Sequence, residues 1–215
     1  MEQRDYLGLL RSCACEIGVD LNENQVRQFM VYLSELKKWN ATTNLTGIVD
    51  PAEIIVKHFV DSLLGLVAWD FKPESLLCDV GTGAGFPGIP IKIARPDLRV
   101  ALVEPNKKKC SFVQYIAGAL QLSSVVIHPV PFDRFAQDRT LSQVDTVTLR
   151  ALRFETVSRD VKKVLGAQGV VMLFRAEQYD NSMIKRHFVL ERETEFVLPL
   201  QHGHRVISVL RPIST

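Results

Sequence analysis

The sequence predicts an α/β fold, in which a Rossmann-like sheet of seven mostly parallel strands ends in an antiparallel hairpin and follows a helical N-terminal segment. Three observations carry this expectation. From residue 75 onward, short strand-like runs alternate with amphipathic helical stretches, the pattern of a parallel sheet covered on both faces. The last two runs, "ETEFVLPL" and "HRVISVL", are too close together for a crossover helix, so they pair antiparallel. The first 70 residues show helical periodicity only.

The elements follow in order. "NENQVRQFMVYLSELKKWN" sets Val26, Phe29, Met30, Leu33 and Leu36 on one helical face, with Asn22 as N-cap and Trp39–Asn40 at the end. After the loop "ATTNLTGIV", a second helix is predicted over "DPAEIIVKHFVDSLLGLVAW". Asp50 caps it, Pro51 occupies the first turn and Glu53 lies three residues after the cap. Its apolar face is Ile55, Phe59, Leu63, Leu66 and Val67; His58 and Asp61, three apart, share a face, either as a surface hydrogen-bonded pair or as groups turned toward a substrate. The parallel strands are "SLLCDV", "RVALVE", "SVVIH", "VDTVTL" and "VVMLFR", with helices such as "KKKCSFVQYIAGAL" and "ETVSRDVKKVL" between them. The division is a helical extension, residues 1–70, packed on a catalytic domain, residues 71–215.

Composition narrows the class. Hydrophobic residues at 47% and charged residues at 23% are ordinary for a globular chain. A net charge of +2 permits a polyanionic partner without requiring one. Cysteines 13, 15, 78 and 110 form no C-x-x-C pair, a reduced, cytoplasmic pattern with neither a disulfide framework nor a zinc site. His202 and His204 lack a third ligand, so no metal is expected. The N-terminus does not read as a signal peptide, and no apolar run approaches the ~20 residues of a membrane span.

The loop after the first strand, "CDVGTGAGFPGIP", carries glycines at 81, 83, 85 and 88. Glycine costs roughly 0.5–1 kcal/mol against alanine in regular structure, so such a cluster marks a backbone that approaches something closely. Ligands of doubly wound sheets bind where the first strand ends. Gly83 to Gly88 spells G-x-G-x-x-G, with Glu104 at the end of the second strand, which is the dinucleotide pattern. Three features favour S-adenosylmethionine instead. Asp79 precedes the loop and suits an ammonium or sulfonium better than a pyrophosphate. Pro87 and Pro90 make the loop unlike a plain phosphate-cradling helix start. The antiparallel hairpin is the usual ending of a methyltransferase sheet. A tight turn with no ligand is the bland alternative.

Beyond these residues, the chain resembles the RsmG family, also called glucose-inhibited division protein B, over nearly its whole length. The resemblance rests on "WNATTNLTGIVDPAEIIVKHFVDSL", "DVGTGAGFPGIPIKIARPDL", "NKKKCSFV" and "LRAL". It implies a class I methyltransferase that methylates N7 of a guanine in the 530 loop of bacterial 16S ribosomal RNA with S-adenosylmethionine. It also implies cofactor contacts at Gly81, Gly83, Gly85 and Phe86, joined by Asp79, and at Glu104. Phe132 is expected to pack on the adenine, Asp133 to accept from its amino group, and Arg150 to follow the fourth strand at the site. Asn44, His58, Asp61, Arg150 and Arg175 are the substrate-positioning candidates, Arg150 and Arg175 holding the RNA backbone or the methionine carboxylate. The plainer reading of these arginines is surface pairing with acids such as Glu155 or Glu177; Arg153 is expected to be a near-neutral bystander. Lys107, Lys108 and Lys109 are either a solvated run or phosphate contacts. The chain departs from the family in Arg175-Ala176, where relatives carry Lys-Gly, and in the two prolines of "HPVPFDR". Guanine N7 offers its lone pair without a base; Asp61 and Asp79 are candidates for stabilising the cationic product. The expected partner is 16S rRNA or the small subunit, and the expected state a monomer. An NAD-dependent oxidoreductase and a non-enzymatic RNA-binding module are the competing functions.

Overall fold

Reciprocal capping starts the main N-terminal helix. In the computed structural model, which describes residues 3–138, 143–178 and 187–213, helix α1 (Gln3–Glu16) leads into α2 (Glu23–Thr43). Asn22 Oδ1 accepts from Gln25 N at 3.0 Å, and Gln25 Oε1 accepts from Asn22 N at 2.8 Å. The predicted apolar stripe of α2 is buried, and Tyr32 is buried with it. The helix runs past the expected end at Trp39–Asn40, because Asn40 serves the next loop and not the helix terminus. Its Oδ1 accepts from Leu45 N (2.6 Å) and Thr46 N (2.9 Å), and its Nδ2 donates to Thr46 O (2.9 Å). Asn44 closes α2 in the left-handed conformation at φ 52°, a position asparagine tolerates.

The single α-helix predicted from Asp50 onward is in fact three pieces. Asp50 caps α3 (Pro51–Ile54) by accepting from Glu53 N at 2.9 Å. A π-helical turn, Ile55–Val60, follows, and then α4 (Asp61–Ala68). Ile55, Val56, Phe59 and Val60 are all buried, so neighbours hold this turn from several sides and packing outweighs regular geometry. One extra residue in a turn rotates the downstream helix by about 100°, which re-aims the His58 and Asp61 side chains.

Seven strands form the sheet: β1 (Leu76–Val80), β2 (Arg99–Val103), β3 (Val125–His128), β4 (Val144–Arg150), β5 (Leu165–Arg175), β6 (Phe188–Val197) and β7 (His204–Pro212). Their order is β3-β2-β1-β4-β5-β7-β6, parallel throughout except for β7, which lies antiparallel between β5 and β6. This is the predicted seven-stranded architecture. Strand β6 starts earlier than expected from "ETEFVLPL". Its polar residues are matched across the hairpin, where Ser208 Oγ donates to Glu193 (2.6 Å) and Arg211 pairs with Glu191 (2.6 Å). Such pairs stabilise an edge strand without apolar alternation.

Helices α5 (Gly88–Ala94), α6 (Lys107–Ala119), α7 (Phe132–Phe135) and α8 (Phe154–Val164) complete the layers. One hydrophobic cluster joins α1–α4 to α5, α6 and one sheet face through Leu77, Leu102, Met172 and Ile207. The other face buries Cys78, Val80, Val147 and Leu149 against Phe154 and Val161 of α8. Full burial of Phe29, Tyr32 and Phe59 contributes roughly 1.5–3 kcal/mol each. The first 70 residues therefore share a core with the sheet, and Gln25 Nε2 also donates to the last carbonyls of α5, Ile93 (3.1 Å) and Ala94 (3.0 Å). The strand order reverses between β1 and β4, and their carboxyl ends open onto one site.

Candidate cofactor and substrate site

The glycine loop leaves β1 at Gly81. Gly85 sits at φ 104°, and a Cβ there would lie 2.7 Å from the Tyr32 hydroxyl and 2.8 Å from Ile89. Gly88 would meet Leu102 at 2.5 Å. These two are required by packing. Gly83, at φ 61°, differs: a Cβ there would find nothing nearer than 3.9 Å. Its outer face is open, as a backbone meant for ligand contact must be.

Three groups hold the loop from beneath. Asp79 Oδ2 accepts from Thr82 Oγ1 (2.5 Å) and Gly88 N (2.9 Å), and Oδ1 accepts from Thr148 Oγ1 (3.0 Å). Burial pushes its pKa up to about 6, against the pull of those hydrogen bonds. The sequence suggested an acid facing a cofactor cation. The carboxylate instead lies enclosed under the loop, since the pleat of β1 turns it inward opposite Thr148 of β4. Tyr32 donates to Ala84 O and stacks between Phe59 (5.1 Å) and Phe86 (5.4 Å). Sequence reading missed Tyr32; the available signal is that a hydroxyl on an apolar helix face needs an acceptor. Glu104, nearly buried, accepts from Gly83 N and Asn106 N, both at 2.9 Å. Each of its oxygens keeps a lone pair, so ribose hydroxyls remain acceptable donors.

The expected adenine pocket changes in one respect. Phe132 is buried, stacks on Phe135 (5.9 Å) and belongs to the core of the second face, so its ring serves packing. The four-residue helix α7 turns it inward and leaves Asp133 exposed. Lys107 and Lys108 are exposed at the start of α6, capped by Asn106, which accepts from Lys108 N at 3.0 Å.

At the end of β4, Arg150 reaches back to the π-turn. It donates to Lys57 O (2.8 Å), His58 Nδ1 (2.8 Å) and Ser62 Oγ (3.3 Å). It pairs with Asp61 at 3.2 Å and lies 5.8 Å above the Phe86 ring. Because a guanidinium only donates, His58 Nδ1 accepts and its proton sits on Nε2. That nitrogen donates to Thr46 Oγ1 at 2.8 Å. His58 also stacks on Phe86, 4.6 Å between centroids. Burial, then the Arg150 charge, lowers its pKa to about 3, so the ring is neutral at physiological pH. The surface pair expected of His58 and Asp61 is thus replaced by two buried side chains that both meet Arg150, because the π-turn aims them inward. Asp61 also pairs with Arg205 of β7 (2.5 Å), a partner no sequence pattern indicated. Two guanidiniums outweigh this one carboxylate, which removes Asp61 as an electrostatic stabiliser of a cation. The ion pair of Arg150 is with Asp61, at the start of α4. Asn44 is exposed.

Beside Arg150 lies a cavity of about 630 Å³. Arg150, Arg153, Arg175 and Arg205 line it with Asp61 and Glu155, so cationic groups outnumber acids. Arg153, expected to be a bystander, is the N-cap residue of α8 and part of this wall. Ala151 at the mouth is left-handed at φ 61°, a strain of about 1–2 kcal/mol for a non-glycine residue. The next residue, Leu152, is so close to Gly81 that a Cβ on that glycine would lie 2.5 Å from it. The cavity and the glycine loop are therefore adjacent.

The family model described as rRNA small subunit methyltransferase G matches residues 25–208. This chain belongs to that family. It is 37% identical to the ribosomal RNA small subunit methyltransferase G of Oceanobacillus iheyensis, covering 91% of this chain and 86% of the relative. It is 34% identical to that of Bacillus velezensis, covering 93% and 87%. Among solved structures, TrmN from Thermus thermophilus aligns at TM-score 0.57 and 17% identity over 72% of this chain and 48% of its own, a likeness of fold. As a member of the methyltransferase G family, the chain is an rRNA methyltransferase, which sets aside the oxidoreductase and non-enzymatic readings. Among the described residues, no helix is long and apolar enough to cross a membrane, and no three His, Cys, Asp or Glu side chains are grouped to hold a metal.

Proposed function

We propose that the chain methylates N7 of a guanine in the 530 loop of 16S rRNA, using S-adenosylmethionine, as a cytoplasmic monomer. The observation that carries this reading is the Gly81–Leu152 contact, which sets the open face of Gly83 beside the arginine-lined cavity. The residues fit the cofactor: the Gly83 face is unobstructed and Glu104 keeps acceptor capacity for a diol. Bound there, the sulfonium supplies the methyl group. The cofactor would lie against the open face of Gly83, with Glu104 to hold the ribose and Asp133 to accept from the adenine amino group. Asp79 remains a charge under the loop, bonded only to neutral donors, and favours a cation above it.

Guanine N7 presents a lone pair, so no general base is needed, consistent with a neutral, fully hydrogen-bonded His58. What the protein supplies is alignment and exclusion of water. Arg150 holds an anion next to the transfer centre. Arg153 and Arg175 fork toward RNA phosphates, for which the guanidinium geometry is suited, and Lys107–Lys109 and Asn44 extend that surface. An A-form groove hides N7, so the target guanine is presented in a loop. Incubating small-subunit particles from a strain lacking this gene with the purified chain and labelled S-adenosylmethionine tests the reading. A single 7-methylguanine in the 530 loop is expected; label at another base or position refutes it.

A further inference from the structure

We infer that His58 is a positioning residue, one that touches neither RNA nor cofactor and instead fixes the direction of the Arg150 guanidinium from the loop after α2. The inference rests on the proposed role of Arg150. The observations form one connected chain. Asn40 grips the backbone of Leu45 and Thr46 with three hydrogen bonds. Thr46 Oγ1 accepts from Ile48 N (3.1 Å) and from His58 Nε2 (2.8 Å). His58 Nδ1 accepts from Arg150 at 2.8 Å, and Asp61 meets the same guanidinium at 3.2 Å while Arg205 holds Asp61 from the other side.

The hydrogen-bonded links are directional, and Asp61 Oδ2 adds an ion pair that makes no hydrogen bond. Arg150, which only donates, sets the tautomer in which Nδ1 accepts, and Thr46 Oγ1 accepts from the protonated Nε2. Arg150 then has a fixed acceptor on one side of its fork and a fixed carboxylate on the other, which leaves little rotational freedom. The His58 ring is only 9% exposed and one face is covered by Phe86, so direct contact with a large polyanion is closed to it. The loop at the outer end of the chain is exposed: Asn44 is solvated and Val49 is 72% accessible. An RNA seated on that loop bears on the same hydrogen bonds that aim Arg150.

The test is single-turnover methylation of small-subunit particles at saturating cofactor, with melting temperature and adenosylhomocysteine affinity measured alongside. His58→Phe keeps a ring against Phe86 and removes both nitrogens. A loss of about ten- to a hundredfold in rate is expected, the effect of one hydrogen bond to a charged group. His58→Asn, whose amide oxygen falls near Nδ1, is expected to recover most of the rate. His58→Gln reaches the Thr46 side only and is expected not to. A His58→Phe rate within twofold of wild type overturns the inference, as does equal rescue by both amides, which indicates packing alone. Should His58→Phe fail to fold, Thr46→Val carries the same test from the outer end: a loss that Thr46→Ser restores supports the relay, and a wild-type rate for Thr46→Val overturns it. If the wild-type chain does not methylate the particles, the functional reading itself has failed, an outcome separate from any ratio between variants.

Discussion

Replacing Asp79 with Asn should make the protein more stable at neutral pH although it removes three charge-assisted hydrogen bonds. The folded-state pKa is about 6, raised from an ordinary 3.8 mainly by burial. A carboxyl whose pKa rises on folding binds its proton more tightly in the folded state. Below pH 3.8 both states are protonated and there is no penalty. Between 3.8 and 6 the penalty grows, and above about 6 it is complete. A shift of about two units at 1.36 kcal/mol per unit gives about 3 kcal/mol. Asn carries no such penalty, and its amide fits the site. The oxygen at the Oδ2 position accepts from Thr82 and Gly88 N, and the amino group at the Oδ1 position donates to Thr148 Oγ1. The assay is urea unfolding of wild type and Asp79→Asn at pH 4, 5, 6 and 7. His58 has the opposite sign, losing stability on acidification from 6.5 toward 3, but it is common to both proteins and cancels in the difference. The expected difference is near zero at pH 4 and about 3 kcal/mol in favour of the variant at pH 7. A difference independent of pH would refute the reasoning.

Gly83→Val should abolish adenosylmethionine binding in calorimetry, because its Cβ enters the open face, and should lower stability by about 1–2 kcal/mol, because valine is strained at φ 61°; undiminished affinity in the folded variant would remove the loop from the site. Tyr32→Phe leaves Ala84 O without its donor, which should cost about 1–3 kcal/mol in unfolding and weaken cofactor binding more than RNA binding; unchanged affinity would limit Tyr32 to packing. Arg150→Ala should slow methylation about ten- to a hundredfold and also lower the melting temperature, since buried Asp61 keeps Arg205 alone; a wild-type rate would refute its role at the transfer centre. RNA binding should weaken steeply with salt, and the slope should flatten in Arg153→Ala because phosphate contacts release counterions; an unchanged slope in filter binding would take Arg153 out of the RNA surface.

The order of elements, the helix starts at Asn22 and Asp50, the glycine loop and the terminal hairpin were all legible in the sequence. Each depends on interactions within a few residues: a side-chain cap on the next turn, a period of two or 3.6, a connection too short for a helix. The family motifs also singled out His58, Asp61 and Arg150 as candidates. What they do was decided by tertiary structure. Burial of the Ile55–Val60 segment from several sides produces the π-turn, which carries His58 and Asp61 inward from the surface face that helical spacing suggested. Arg150 meets Asp61 of a distant helix, and Arg205 arrives from the far end of the chain. Tyr32 holds the glycine loop from a helix read only as core, and Phe132 turns into the second core. A charge or a buried donor takes whichever partner packing brings within about 3 Å. That distance is set by the register of whole elements against one another, which local sequence does not encode.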